Sequence, residues 1–244
     1  MFCKPFKKHT PVVMWDTIHK ALLLVLNLDP DVLHIALTSL FVSSAALIIG
    51  IIIGLPIGAF LAIAHFPGKK WCITFINTLM SVPTVIIGVL IYLLLSRSGP
   101  LGELSLLFTK TGMIIAQSCL TIPLIAAISR QMISDAWQIH QDIFSALQFK
   151  MFYRVKWILW DCRFSLIIVV LLGFSRAISE VGAVMIVGGN IAQHTRTLTT
   201  AIALETSKGD LILSLSLGIV LLMIVFIINV ISYFLKLNAE KKYG

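Results

Sequence analysis

Five apolar runs, at about residues 34–64, 72–95, 113–129, 166–187 and 211–235, fix what this chain can become. Each approaches or exceeds the roughly 20 residues that a helix needs to cross a ~30 Å hydrocarbon core. In lipid the backbone must satisfy its own N–H and C=O groups, and a helix does so within one segment. The chain is therefore read as an all-α integral membrane protein with about five transmembrane helices. A mean hydropathy of +0.98 places it well outside soluble domains.

The first run is too long to cross upright and must tilt or project. Ala46, Gly50, Gly54, Gly58 and Ala62 recur at every fourth residue within it, giving one smooth face on which another helix backbone can lie closely. Pro56 predicts a kink. The second run carries Ser81-Val82-Pro83-Thr84 in its interior. That proline signals either a packing kink or an opened backbone lining a path. The third run holds Gln117 and Thr121-Ile122-Pro123. Ahead of all of these, residues 12–28 are apolar but short, with Asp16, His19 and Lys20 on one face. They read as an interfacial amphipathic helix ending at Asp29-Pro30, with a sixth span as the rival.

Between the third and fourth runs lies a polar interruption, residues 131–165, with Asp135, Asp142, Lys150, Arg154, Lys156, Asp161 and Arg163. Trp137, Ile139, Ile143, Phe144, Leu147, Met151, Phe152 and Val155 recur through it at gaps of mostly three and four. This is the pattern of helix with an apolar stripe. Such a segment is either a docking surface for a partner outside the bilayer or a helix lying on lipid headgroups. With this segment placed in the cytoplasm, ten Lys and Arg lie inside and eight outside, so the positive-inside rule leans that way. The N-terminus is then outside and the C-terminal tail, 236–244, cytoplasmic.

The fourth run contains an ionisable pair, Arg176 and Glu180, inside an otherwise apolar stretch. Spaced by one helical turn, each neutralises the other. A lone charge at mid-membrane costs ~2.5–3.5 kcal/mol on insertion scales, so such residues face protein or water. The pair reads as a polar element lining a path, or as an internal ion pair that only orients the helix. Gly182, Gly188 and Gly189 loosen the following end, and Asn190 is placed to cap it or bind a ligand. The segment after it has room for a short surface helix.

Other chemistries find no residues. No GxxxxGK[ST] is present, hence no nucleotide site, and no HExxH or nucleophile triad can be assembled. The four cysteines are scattered without CxxC spacing. The net charge of +8 reads as contact with anionic membrane lipid, and no nucleic acid is implied.

The run from Gly173 to Asn190, with R-x-x-x-E-x-G-A and a closing G-G-N, resembles the permease subunits of ATP-binding-cassette (ABC) importers for oxyanions. Pro83 to Gly88, Leu93 to Gly102 and Thr195 to Asp210 look most like the tungstate permeases. The resemblance spans about residues 33–235. It implies a type-I importer transmembrane domain there, after an N-terminal segment 1–32. It also implies a cytoplasmic coupling motif of Glu-Ala-Ala, three residues, Gly, and later Leu-Pro. Aligned to it, Asp142, Ile143 and Phe144 take the Glu-Ala-Ala places, Gln148 the Gly place and Trp160-Asp161 the Leu-Pro place. The ATPase contact is thus expected at Asp142, Ala146, Leu147, Gln148 and Phe152. Gln148 in place of Gly implies a continuous helix or a differently shaped socket on the partner.

By the same resemblance the chain pairs with a second copy of itself, two ATPase subunits and an extracytoplasmic oxyanion-binding protein, in a bacterial or archaeal cell membrane. It binds no cofactor, with ATP and magnesium on the partner ATPase, and has no catalysis of its own. Thr84, Gln117, Arg176, Glu180 and Asn190 are the candidates for the pathway. The substrate expected is tungstate, with molybdate or sulfate as alternatives. The rival from another class is a membrane scaffold that recruits a cytoplasmic partner through 131–165 and moves nothing.

Overall fold

The computed structural model describes residues 19–21, 23, 30–146 and 150–243. Most of the interfacial segment expected at 12–28 lies outside the described residues. Among them, three helices are long and apolar enough to cross a membrane, and five spans result if each of two bent helix pairs counts as one.

Helix α1 (Pro30–Ile63) starts on a proline, where no intrahelical donor is lost, with Asp31 in its positive first turn. Its 34 residues make it about 50 Å long at 1.5 Å per residue, so it overshoots the bilayer core. Pro56 sits inside it without ending it. Lys69 reaches back to donate to the Ala62 carbonyl at 3.0 Å, satisfying one of the helix's last acceptors.

The smooth face of α1 packs on α4 (Lys110–Ala146). A Cβ on Gly54 would stand 2.8 Å from the Ile122 carbonyl oxygen, and one on Gly50 3.0 Å from Thr121 Oγ1. The small residues therefore bring two backbones together, as their spacing predicts. Thr121 adds a 3.3 Å hydrogen bond to the Ala46 carbonyl across the same seam.

The polar interruption is no separate loop. Helix α4 begins at Lys110, passes through Pro123, and continues 17 residues past Ser129, where the third span was expected to end. Leaving Lys150 extended (φ −62°, ψ 145°), the chain forms α5 (Met151–Asp161), so one continuous coupling helix is not adopted. Helix α6 (Arg163–Ile178) then turns back, bent 65° from α5. Ile133, Phe144, Ile158 and Cys162 close a core with Ala59, Ala62 and Ile63 at the end of α1. Burial, with Asp161 beside it, pushes the Cys162 thiol up to about 11, which makes it a packing group rather than a reactive one.

At the other end of the molecule, α8 (Leu198–Lys208) packs between the start of α1 and α9 (Leu211–Tyr243). Val32, Ile35 and Ala36 meet Leu198, Ala201 and Leu217 there. The short surface helix expected after Asn190 is thus half core: Thr199 and Thr200 are buried with it. Helix α9 continues through the basic tail instead of ending at Leu235.

Candidate functional site: a polar cleft between two broken helices

The second span, expected over 72–95 with a kink or an opened backbone at Pro83, is two helices. Helix α2 (Lys69–Ser81) and α3 (Thr84–Leu95) meet at 94° across Val82-Pro83. Proline cannot donate to the carbonyl a turn earlier and forces the preceding residue out of helix. Val82 is accordingly extended, at φ −64° and ψ 135°. Pro83 therefore marks a full break of the helix, sharper than a kink.

The fourth span is also interrupted. Helix α6 stops at Ile178, Ser179 to Val181 form the break, and α7 (Gly182–Gly188) resumes. Glycine places the two breaks side by side. A Cβ on Gly182 would lie 2.9 Å from Val85 Cγ2 and 3.1 Å from Thr84 Oγ1, and one on Gly88 2.8 Å from the Ala183 Cα. Helices α3 and α7 therefore lie almost backbone to backbone.

Between the breaks is a narrow cleft lined by Thr84, Gln117, Thr121, Arg176 and Glu180, with Met80 and Leu124 at its apolar edge. Four of the five pathway candidates meet here. The free volume is about 30 Å³.

The ion pair is asymmetric. Glu180 is buried to 5% exposure whereas the Arg176 side chain is 56% exposed, and the pair is long, at 3.5 Å. Glu180 lies beyond the end of α6, where its Oε1 accepts from the Ala183 N–H at 3.3 Å and so caps α7. The carboxylate is committed to the protein, while the guanidinium keeps an open side. Gln117, 3% exposed, donates Nε2 to the Ala177 carbonyl at 2.9 Å, but its Oε1 has no partner among the described residues. The break at Ser179–Val181 is thus pinned from α4 as well.

Asn190 lies apart from the cleft. It takes a left-handed φ of 50°, which asparagine tolerates, just after Gly189 at 68°. Its Nδ2 donates to the Thr200 carbonyl at 3.2 Å, so it ties the end of α7 to α8. Residues not singled out in the sequence complete this layer. Thr199 Oγ1 donates to the Glu180 carbonyl at 2.7 Å, and Ser39 Oγ accepts from the Leu198 N–H at 2.6 Å. The threonine richness of 195–200 was a signal of these inward hydrogen bonds, although it reads equally as solvated surface.

A Thr199→Val change keeps the volume and deletes the donor to Glu180. We expect about 1 kcal/mol lower stability from one lost buried hydrogen bond. Thermal unfolding in detergent checks this. An unaltered melting temperature would remove this link between α8 and the cleft.

At the opposite end, the Trp137, His140, Phe144 and Trp157 rings pack together, with His140 and Trp157 centroids 4.7 Å apart. They lock the end of α4 to α5. Asp142 is exposed on this hairpin. Ala146 is the last residue of α4 and Phe152 lies in the first turn of α5. Leu147 and Gln148 lie outside the described residues.

Two interrupted helices around a polar cleft, in a chain that crosses the membrane several times, define a transport subunit. No family model matches the chain. It is 43% identical over 216 residues to the tungstate uptake system permease protein TupB of Peptoclostridium acidaminophilum, covering 88% of this chain and 95% of that one. It is 37% identical over 223 residues to the TupB of Campylobacter jejuni, covering 91% and 93%. With a probable anion ABC transporter permease of Haloferax volcanii it shares 38% over 200 residues, 80% and 86% of the two chains. The chain belongs to the ABC-transporter permease family that contains these proteins. It is a multi-pass membrane subunit and not an enzyme, since in such transporters a separate ATPase subunit hydrolyses ATP.

Proposed function

We propose that this chain forms the membrane pathway of a tungstate importer. The convergence of Thr84, Gln117, Arg176 and Glu180 on one cleft at two helix breaks supports a transported anion. The names and high coverage of the two tungstate permeases support the choice of cargo. A scaffold that moved nothing would have no use for two opened helices around a buried charge.

In this reading two copies enclose the path. Two ATPase subunits, carrying ATP and magnesium, bear on the hairpin around Asp142, Ala146, Leu147, Gln148 and Phe152. A binding protein delivers the anion to the opposite face, onto the layer of Asn190 and α8. The hairpin face is cytoplasmic, as is the C-terminus, and the N-terminus is outside. This arrangement of the cleft is one of two states. ATP binding at the hairpin and cargo at the outer face favour different ones, which is what couples them.

Arg176 is the transient counter-charge in this pathway, and Thr84 and Gln117 supply neutral polar contacts. One loosely paired cation gives weak affinity, which suits a site that must release what it binds.

The decisive test is uptake by vesicles holding this chain with its ATPase and binding protein. ATP-dependent entry of radiolabelled tungstate, reduced only weakly by excess molybdate, is expected. Entry of sulfate alone would overturn the cargo, and entry of no anion into vesicles with assembled complex would overturn transport. The hairpin is tested separately. Leu147→Asp with Phe152→Asp should leave the protein in the membrane while separating ATP hydrolysis from uptake. Unchanged uptake would free the hairpin of its role.

A further inference from the structure

Away from the cleft, an apolar groove of about 730 Å³ runs between the last turns of α1 and the hairpin helix α5. Leu55, Pro56, Phe60 and Ile63 form one wall, and Val155, Leu159 and Leu166 the other. Among the described residues its lining contains no polar side chain. Sites for small polar ligands, even apolar ones, hold a few polar groups that fix orientation. An extended protein segment lying here would leave its own backbone donors and acceptors without partners, whereas a hydrocarbon chain brings none.

The groove does not end blindly. Val155 and Leu159 are shared with a second depression along α5, whose other walls are Lys156 and Trp160. Lys156 is exposed, and the Trp160 ring is 70% exposed with the Arg163 guanidinium stacked over it at 4.6 Å. Segment 150–163 holds Lys150, Arg154, Lys156 and Arg163 against Asp161. A carbon-lined groove thus opens onto a cation beside an interfacial tryptophan, which is the order of parts along a phospholipid.

We propose that this groove is a binding site for one anionic phospholipid, with an acyl chain between α1 and α5 and the headgroup phosphate at Lys156. The site joins the span that carries the glycine seam to the helix that carries the hairpin. Its occupancy therefore stiffens the hairpin against α1, independently of what the transporter carries.

The test uses the assembled transporter in detergent, supplied with equimolar phosphatidylglycerol and phosphatidylcholine and read by native mass spectrometry. We expect phosphatidylglycerol to be retained about fivefold over phosphatidylcholine, the effect of one near-surface lysine at ~1 kcal/mol. Lys156→Gln should bring that ratio toward one, whereas Lys70→Gln, at the start of α2, should leave it. Leu166→Trp, which fills the groove, should lower retention of both lipids. Equal retention of the two lipids, or no effect of Lys156→Gln, would overturn the proposal. So would disulfide-linked dimers of a Leu159→Cys variant, because they would show a second copy of the chain in the groove.

Discussion

Replacing Arg176 by glutamine is expected to reduce anion uptake at least tenfold while the complex still assembles. The side chain is 56% exposed, so its loss opens no cavity, and the helix it stands on ends only two residues later. What changes is charge. Glu180 is left with the Ala183 N–H and without its counter-ion, and the cleft changes from near-neutral to negative. A hydrogen bond to a charged group contributes about 1.5–3 kcal/mol, or roughly ten- to a hundredfold in a rate that depends on it. Two companions separate the readings of the pair. If Arg176 and Glu180 only orient the helix, the neutral double variant Arg176→Gln with Glu180→Gln restores uptake. If the guanidinium serves the anion, the double variant stays slow and only Arg176→Lys recovers part of the rate. Uptake with labelled tungstate, normalised to assembled complex, decides between them.

That contrast also shows what the sequence could and could not reveal. The apolar runs were legible because a membrane imposes one solution on a backbone, and the glycine period of α1 because a seam of that kind has few other uses. Pro83 marked its break chemically. The break at Ser179–Val181 carries no such mark. It exists because Thr199, Gln117 and Gly88 come from three other elements to hold it, and distant partners leave no local period. The same holds for Asn190, where a helix end was legible but its direction was not. It faces α8 rather than the cleft. For the hairpin, the 3.6-residue stripe showed helix, but of its apolar residues Trp137, Phe144 and Val155 turn to the core while Ile139 and Ile143 are exposed. It could not show that the first half is simply α4 continued, because the polar side chains that suggested a loop are those of a helix leaving the bilayer.

The largest structural effect is expected at Gly58. A Cβ there would meet Ser129 Oγ and would stand 2.7 Å from the Ala126 carbonyl oxygen and 3.1 Å from the Arg130 nitrogen. Only the serine hydroxyl can turn away. The other two are backbone of α4, so a larger side chain has to part the helices along the seam that organises the fold. Overpacking of a close-packed site costs about 1–3 kcal/mol when side chains can yield, and here the yielding group is a helix. Gly58→Leu should therefore cost ~3 kcal/mol or more and sharply reduce the protein recovered from the membrane. Gly58→Ala with Ser129→Gly should recover only part of it, since the carbonyl remains. Gly218 in α9 is the control, because none of the described residues lies within 4 Å of its Cβ position. Gly218→Ala relieves a helix of about 1 kcal/mol of glycine penalty and should leave yield and melting temperature equal or higher. If Gly58→Leu and Gly218→Ala behaved alike, close approach of α1 and α4 could not be what holds the spans together.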